Sequence, residues 1–427
     1  MSILFKKIQA LLPDGGGLRI ETCNVGVAGN TIAFVGEVPE DFVPDETIDG
    51  KDRLLTPGFV NAHTHAYMTL LRNRADDLPF HAWLFDNILP MEDRLRTNDS
   101  YWGTFLAAIE MLRSGCTCYN DMYISQNENA QAAHESGMRA VLSRGLVGSS
   151  RADEGGLRRL REASDEIAAF RGYGRLTFAL APHAPYTCAP DYLSLIAETA
   201  RKLDVPIHTH LGESRQEIAD IQKLYGKTPF ALMEDAGVFN VSTIAAHCVH
   251  MTEQDMRIAA QHGVSVATNP ISNLKLANGV APVREMIANG INVALGTDGA
   301  ASNNALNMLR ELNFLCLIHK GKNEDSVCIT AEQGLKIATI NGANALGLGA
   351  ITGSIEAGKR ADLVVCNLNQ PHWTPRTNLL AALCYGAQGN EPEKVFIDGE
   401  LLFANGHCAK IDEERVCFEA QKISERL

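Results

Sequence analysis

No apolar run in the sequence approaches the roughly 20 residues that a membrane-crossing helix needs, so no membrane partner is expected. There is no C-x-x-C pair either. The 11 cysteines are scattered, only Cys116 and Cys118 stand close together, and a disulfide framework is therefore excluded. Positive charge is in deficit: 38 Lys and Arg against 51 Asp and Glu leave a net charge of −13, which disfavours nucleic acid and anionic membranes. The N-terminal "MSILFKKIQALLPDGGG" lacks a small-residue cleavage site, and lysines interrupt its apolar residues, so it is a poor signal peptide. Free thiols and no leader together predict a cytoplasmic protein. No G-x-G-x-x-G follows the first strand of the central region, which removes the usual nucleotide signature of a doubly wound sheet.

What is present is a globular composition, 45% apolar and 21% charged, in 427 residues. That length suits one large domain of about 250–300 residues with a smaller companion. The two ends read alike. "GVAGNTIAFVGEV" carries β-branched residues around Gly29-Asn30, and "KVFIDGELLFANG" is broken at Asp398-Gly399; both are hairpin signals. The simplest packing joins residues 1–56 and 350–427 as one small β-sandwich. Between them, over 57–349, short apolar segments alternate with amphipathic ones. Eight are strand-like: "GFVNAHTHA", "TCYNDMY", "RAVLSRGLV", "LTFALAPHAP", "VPIHTHLGE", "STIAAHCVH", "VSVATNP" and "NVALGTDGA". "SYWGTFLAAIEMLRSG" and "PDYLSLIAETARKLD" between them have helical spacing and visible stops. The fold class expected is α/β, a (β/α)8 TIM barrel with a small β-sandwich built from both termini.

In such a barrel the C-terminal ends of the strands carry the chemistry. There the sequence places His63 and His65, then His183, then His208, His210 and Glu213, then His247 and His250, and finally Asp298. Taken singly, each has a plain structural explanation. H-x-H is often a satisfied pair, a lone histidine is more often hydrogen-bonded structure than ligand, and Asp298-Gly299 reads as a turn. Glu213 would open a helix, where negative charge is favourable. Taken together, they converge on one mouth. A period of two puts both imidazoles of an H-x-H on one face of a strand. His63, His65 and His210 offer neutral nitrogens and Asp298 a hard, charged oxygen. The set suits one Zn²⁺ or Fe²⁺ with a position left for water, whose pKa such an ion lowers toward about 7.

These residues, with "PGFVNAHTHAYMTLLR", "WLFDNILPMEDRL", "APHAPYTC", "HLGES", "AAHCVHM", "NPISNLKLANGVAPV" and "LGTDGAASNN", resemble the amidohydrolase superfamily. Within it they are most similar to the 5'-methylthioadenosine/S-adenosylhomocysteine deaminases, over nearly the whole chain. The resemblance implies a mononuclear site on His63, His65, His210 and Asp298, since "APHAP" has no lysine to bridge a second ion. It implies Glu213 as proton shuttle to the adenine ring, Asp298 as the acceptor of the water proton, and His247 beside the attacking water. It implies Trp83 as a wall over the nucleoside, Glu92 on the ribose hydroxyls, His183 on a purine nitrogen, Arg144 facing the 5' substituent and Ser302 at the purine edge. In one place the sequence departs from the family pattern. "EGGLRRL" puts Leu157, not an arginine, directly after Gly155-Gly156, with Arg158 one residue later. The substrates implied are methylthioadenosine, S-adenosylhomocysteine, adenosine or 5'-deoxyadenosine. A guanine deaminase or s-triazine hydrolase is the near alternative and a silent scaffold barrel the distant one. The native metal and any homo-oligomer stay open. The cytidine-type zinc deaminases use H-x-E with P-C-x-x-C, and neither occurs here.

Overall fold

The computed structural model describes residues 1–427. All eight strand-like segments of the central region form strands, the fourth in two pieces. Numbering strands along the chain, the terminal part supplies β1 (Ser2–Asp14), β2 (Gly17–Ala28), β3 (Thr31–Gly36), β4 (Glu46–Asp49) and β5 (Arg53–Pro57). The central part follows with β6 (Phe59–Thr64), β7 (Cys116–Tyr123), β8 (Arg139–Leu146), β9 (Leu176–Phe178), β10 (Ala181–Pro182), β11 (Ile207–Leu211), β12 (Thr243–His247), β13 (Ser265–Thr268) and β14 (Val293–Leu295). The chain then returns to the terminal part with β15 (Leu363–Asn367), β16 (Pro392–Ile397), β17 (Glu400–Ala404) and β18 (His407–Cys408).

Strands from both ends hydrogen-bond into one nine-stranded sheet, in which β15 runs antiparallel to β5. In β1 one buried face carries Ile3 and Phe5, then Ile8, Ala10 and Leu12. The register shifts between Phe5 and Ile8, where Lys7 has φ 51°. That bulge restores the inward face after an extra residue. These side chains share a core with Leu363, Val365 and Phe396 from the other end of the chain, while Leu11, Leu54, Val364 and Val395 face the main body. Both expected turns are there. Ala28 pairs with Thr31 around Gly29-Asn30, and Ile397 pairs with Glu400 around Asp398-Gly399, both with positive φ.

The central strands are all parallel, β6 to β10 in one sheet and β11 to β14 in another. The two sheets meet at both edges. Leu180 bridges Ile207 on one side. On the other, Asp298 N donates to His63 O at 3.0 Å and Thr297 N to Asn61 Oδ1 at 3.0 Å. Gly296 permits that second approach: a Cβ there would stand 2.3 Å from Asn269 Oδ1 and 2.9 Å from the His63 backbone. Parallel strands need long crossovers, and helices such as Asp99–Arg113 and Pro190–Leu203 supply them. Both end where the sequence signals a stop, at Gly115 (φ 79°) and Asp204 (φ 53°). The C-terminal helix Glu413–Glu425 leaves the terminal sheet and packs on the central part, its Ala420 and Ile423 against Leu70. No helix is long and apolar enough to cross a membrane.

Candidate active site

His63, His65, His210 and His247 each use one ring nitrogen outside the centre and turn the other inward. His65 Nδ1 donates to Met122 O at 2.6 Å and His210 Nδ1 to His183 O at 2.8 Å. His63 Nδ1 meets His208 Nε2 at 2.8 Å, and His247 Nδ1 meets Asn273 Oδ1 at 2.8 Å. Such bonds fix the tautomer and leave the Nε2 lone pair free. His65 Nε2 lies 3.1 Å from His210 Nε2, and Asp298 Oδ1 lies 3.4 Å from His63 Nε2 and 3.2 Å from His65 Nε2. Donor atoms of His63, His65 and Asp298 lie within 4.8 Å of one another, as do those of His63, His210 and His247. The sequence therefore brings together all four expected ligands, and His247 stands within the same reach of His63 and His210.

The donor set fits a cation. His63 Nε2 is fully buried and has no hydrogen-bond partner, a costly state that a metal ion relieves. Burial pushes His63 down to about 3 and His210 well below its ordinary value, so both offer neutral nitrogens at pH 7. Burial opposes charge on His65 as well, yet the adjacent Asp298 carboxylate lifts it to about 9. The pocket draws positive charge to this point. Asp298 is itself held by Ser272 Oγ at 2.6 Å and Ser302 Oγ at 2.7 Å, both on Oδ2, which leaves Oδ1 facing the histidines. His247 (φ 71°) and Asp298 (φ 61°) both occupy left-handed backbone that non-glycine residues seldom adopt, a strain typical of functional positions.

A cavity of about 400 Å³ is lined by His65, His210, His247 and Asp298 together with Glu213, His183, Trp83 and Glu92. Glu213 is buried; Asn278 Nδ2 donates to its Oε1 at 3.0 Å. Burial raises its pKa, which His247 counters and Asp298 reinforces. The Glu213 loop is built by Glu217, whose two oxygens accept Gly212 N and Glu213 N at 2.8 Å each, just inside the Ser214 cap of helix Arg215–Tyr225. His183 turns Nδ1 to Thr187 Oγ1 at 3.0 Å, and burial lowers it to about 4. Burial raises Glu92 to about 7, while the hydroxyl of Tyr123, bonded to Glu92 Oε1, works against that rise. Trp83 sits in a π-helix, Ala82–Ile88, with its buried Nε1 unpaired.

Two of the expected substrate contacts stand elsewhere. Arg144 is near the end of β8, but its guanidinium turns to Ile124 O, Glu162 (3.1 Å) and Glu166 (3.2 Å), outside the cavity lining. Two carboxylates on helix Glu154–Phe170 hold it there. Ser302 is buried beneath Asp298 and supports that ligand rather than lining the cavity. Arg158 is 64% exposed and faces Glu162, whereas Arg159, one residue on, lines the cavity. One residue on a helix turns a side chain by about 100°, and that turn decides which arginine points inward. His250 lies outside the cluster, and His208 acts on it only through His63. Sequence reasoning missed Tyr123, Asn278, Ser272, Asn273 and Arg159. The last strand position of "TCYNDMY" and the polar residues of "NPISNLKLANG" were the available signals.

Residues 54–402 match the sequence profile of the amidohydrolase family. The chain belongs to that family. This amidohydrolase is 43% identical to a 5-methylthioadenosine/S-adenosylhomocysteine deaminase of Caldanaerobacter subterraneus subsp. tengcongensis, with 100% of this chain and 99% of that protein covered. It is 46% identical to one of Syntrophomonas wolfei subsp. wolfei, at 100% and 99% coverage. Among solved structures, an adenosine deaminase from Xanthomonas campestris with bound zinc matches at a TM-score of 0.93 and 34% identity, covering 99% of this chain and 98% of that one. An atrazine chlorohydrolase from Arthrobacter aurescens matches at 0.91, over 99% and 100% of the chains; at 24% identity the likeness is one of fold.

Proposed function

We propose that this amidohydrolase is a divalent-metal hydrolytic deaminase of adenine nucleosides, converting the adenine ring to hypoxanthine with release of ammonia. One observation carries the reading: a single cavity is lined by members of the metal donor set, by Glu213 and by the Tyr123-braced Glu92. A carboxylate accepts two hydroxyls at once, so Glu92 suits the 2' and 3' hydroxyls of a ribose and has no purpose on a ring without one. The full-length kinship with methylthioadenosine/S-adenosylhomocysteine deaminases supports the same substrates.

His63, His65, His210 and Asp298 would hold the ion, zinc by analogy with the neighbour that carries it. Bound there, it would acidify water and stabilise developing negative charge. The residues around it divide the remaining work. As water oxygen bonds to C6, Asp298 accepts the water proton and Glu213 gives a proton to N1. His247, its Nδ1 committed to Asn273, offers Nε2 to the oxygen on which charge develops. The proton held by Asp298 then leaves with the amino group as ammonia, and the remaining proton of the C6 hydroxyl returns to Glu213 as the carbonyl forms. His183 would hydrogen-bond a purine nitrogen, Trp83 would cover the nucleoside, and Arg159 rather than Arg144 would meet a charged 5' group.

The same reading takes 57–349 as a closed (β/α)8 barrel, and 1–56 with 350–427 as a composite β-sandwich domain. It places the enzyme in the cytoplasm, in keeping with 11 free cysteines. Purified protein supplied with adenosine, methylthioadenosine, S-adenosylhomocysteine, deoxyadenosine, guanine and melamine should release ammonia from the adenine nucleosides. No ammonia from any of those nucleosides overturns the proposal.

A further inference from the structure

We propose that Glu311 is a positioning residue that locks together the two loops around Asp298 and thereby sets how firmly the site holds its ion. Glu311 lies on helix Met308–Asn323, fully buried and outside the cavity lining, so it has no access to substrate. A carboxyl group in such a place is costly, with or without its proton, unless its oxygens are used. Both are. Oε2 accepts Ile271 N at 3.3 Å, and Oε1 accepts Asn303 Nδ2.

Each of those partners adjoins a residue that holds the site. Ile271 precedes Ser272, which donates to Asp298 Oδ2 at 2.6 Å, and Asn273, which accepts from His247 Nδ1 at 2.8 Å. Asn303 follows Ser302, which donates to the same Asp298 oxygen at 2.7 Å. The Asn303 amide also reaches Thr297 O at 2.7 Å, just before Asp298. One side chain thus ties helix Pro270–Lys275, helix Ala300–Asn303 and the end of β14 into a single frame. With both serines fixed on Oδ2, Oδ1 is left aimed at His63 and His65. Glutamine has the same shape but turns an NH2 group toward one of the two donors, so it breaks the frame on one side.

The inference rests on the metal reading of the site. The test compares metal-loaded wild type, Glu311→Gln, Ser272→Ala and the double variant, at a temperature where circular dichroism shows all four folded. Asn303→Ala, which removes one side of the same tie, replaces Glu311→Gln if the latter does not fold. Loss of an outer hydrogen bond to a metal ligand typically costs 10–100-fold in affinity or activity. A chelator should therefore strip Glu311→Gln about ten times faster than wild type or more. Its Co²⁺-substituted form should show shifted absorption bands, and kcat should fall while KM stays within about twofold. The double variant should be little worse than the more impaired single one, because both changes loosen one oxygen of Asp298. A lowered melting temperature with wild-type metal release and Co²⁺ spectrum overturns the assignment, as do fully multiplicative effects. If wild type holds no stoichiometric divalent ion, the metal reading falls and this inference falls with it.

Discussion

Replacing Glu213 by glutamine isolates proton transfer from everything else the residue does. Asn278 donates to Oε1 at 3.0 Å, and a glutamine carbonyl can accept that bond in the same place. The loop keeps its shape because Glu217 holds the backbone amides of Gly212 and Glu213, not the Glu213 side chain. The ligand His210 is three residues away and anchored through His183 O. What disappears is a group able to give and take a proton at N1. Glu213 is buried, so bulk water has poor access to replace it. General acid–base help of this kind is worth roughly 10²–10⁴-fold, which corresponds to about 2.7–5.4 kcal/mol of barrier at 1.36 kcal/mol per decade. The assay is steady-state ammonia release from methylthioadenosine and adenosine, with metal content measured on the same preparation. Glu213→Gln should keep one equivalent of metal and a KM near wild type and lose kcat by that factor. Retention of more than about a tenth of wild-type kcat at full metal content would show that the proton travels by another route.

Glu92→Ala should raise KM for ribonucleosides by about tenfold or more, with a much smaller effect on 2',3'-dideoxyadenosine; equal losses on both would remove Glu92 from the ribose. Arg159→Ala should weaken S-adenosylhomocysteine turnover about tenfold and spare methylthioadenosine, whereas parallel losses on both would deny it a role at the charged 5' end. Prolonged dialysis against a chelator should abolish activity and lower the melting temperature, and added Zn²⁺ should restore both; a melting curve indifferent to the ion contradicts a native-state metal site. Burial holds Glu92 and Glu217 at about 7 and Glu311 at about 8, against 4.5 for a free glutamate. Each keeps, when folded, a proton that the unfolded chain has already released, so its contribution is full below about 4.5 and is lost as pH rises through 7 to 8. Above pH 7 the histidines lowered by burial no longer oppose this trend. The unfolding free energy of metal-free protein in urea should therefore fall between pH 7 and pH 9, by about 0.4 kcal/mol for each group at 7 and about 1.4 kcal/mol for the one at 8. A midpoint that rises over that range refutes the assignment.

The part of this protein that a reader of the sequence can see is the part with a short period. His63 near the end of β6 and His65 just past it converge on one centre, and His208 and His210 fall on one side of β11, because side chains alternate along an extended chain. Eight strand-like segments and two hairpin turns were legible for the same reason, as were the helix stops at Gly115 and Asp204. The ion pairs of Arg144 were not legible, because a strand fixes only which way a side chain leaves the backbone. Its destination depends on Glu162 and Glu166, about 20 residues later on a different element. Arg158 and Arg159 differ by one helical step, which the sequence pattern could not phase against a cavity it had not yet built.

What stayed hidden is the layer that aims the ligands, and the cause is chemical. His65 and His210 are oriented by backbone carbonyls of Met122 and His183, and a carbonyl is the same on every residue. Asp298 is aimed by two serines from separate helices, and those helices are joined through a buried glutamate more than 30 residues from one of its partners. None of these groups is unusual in type or spacing; only their convergence is. The candidate ligands can be read from sequence because coordination demands rare residue types at strand ends. The frame cannot, because hydrogen bonding accepts almost any donor or acceptor that arrives within about 3 Å. Substitutions in that frame should therefore alter metal retention and rate while leaving every family motif intact.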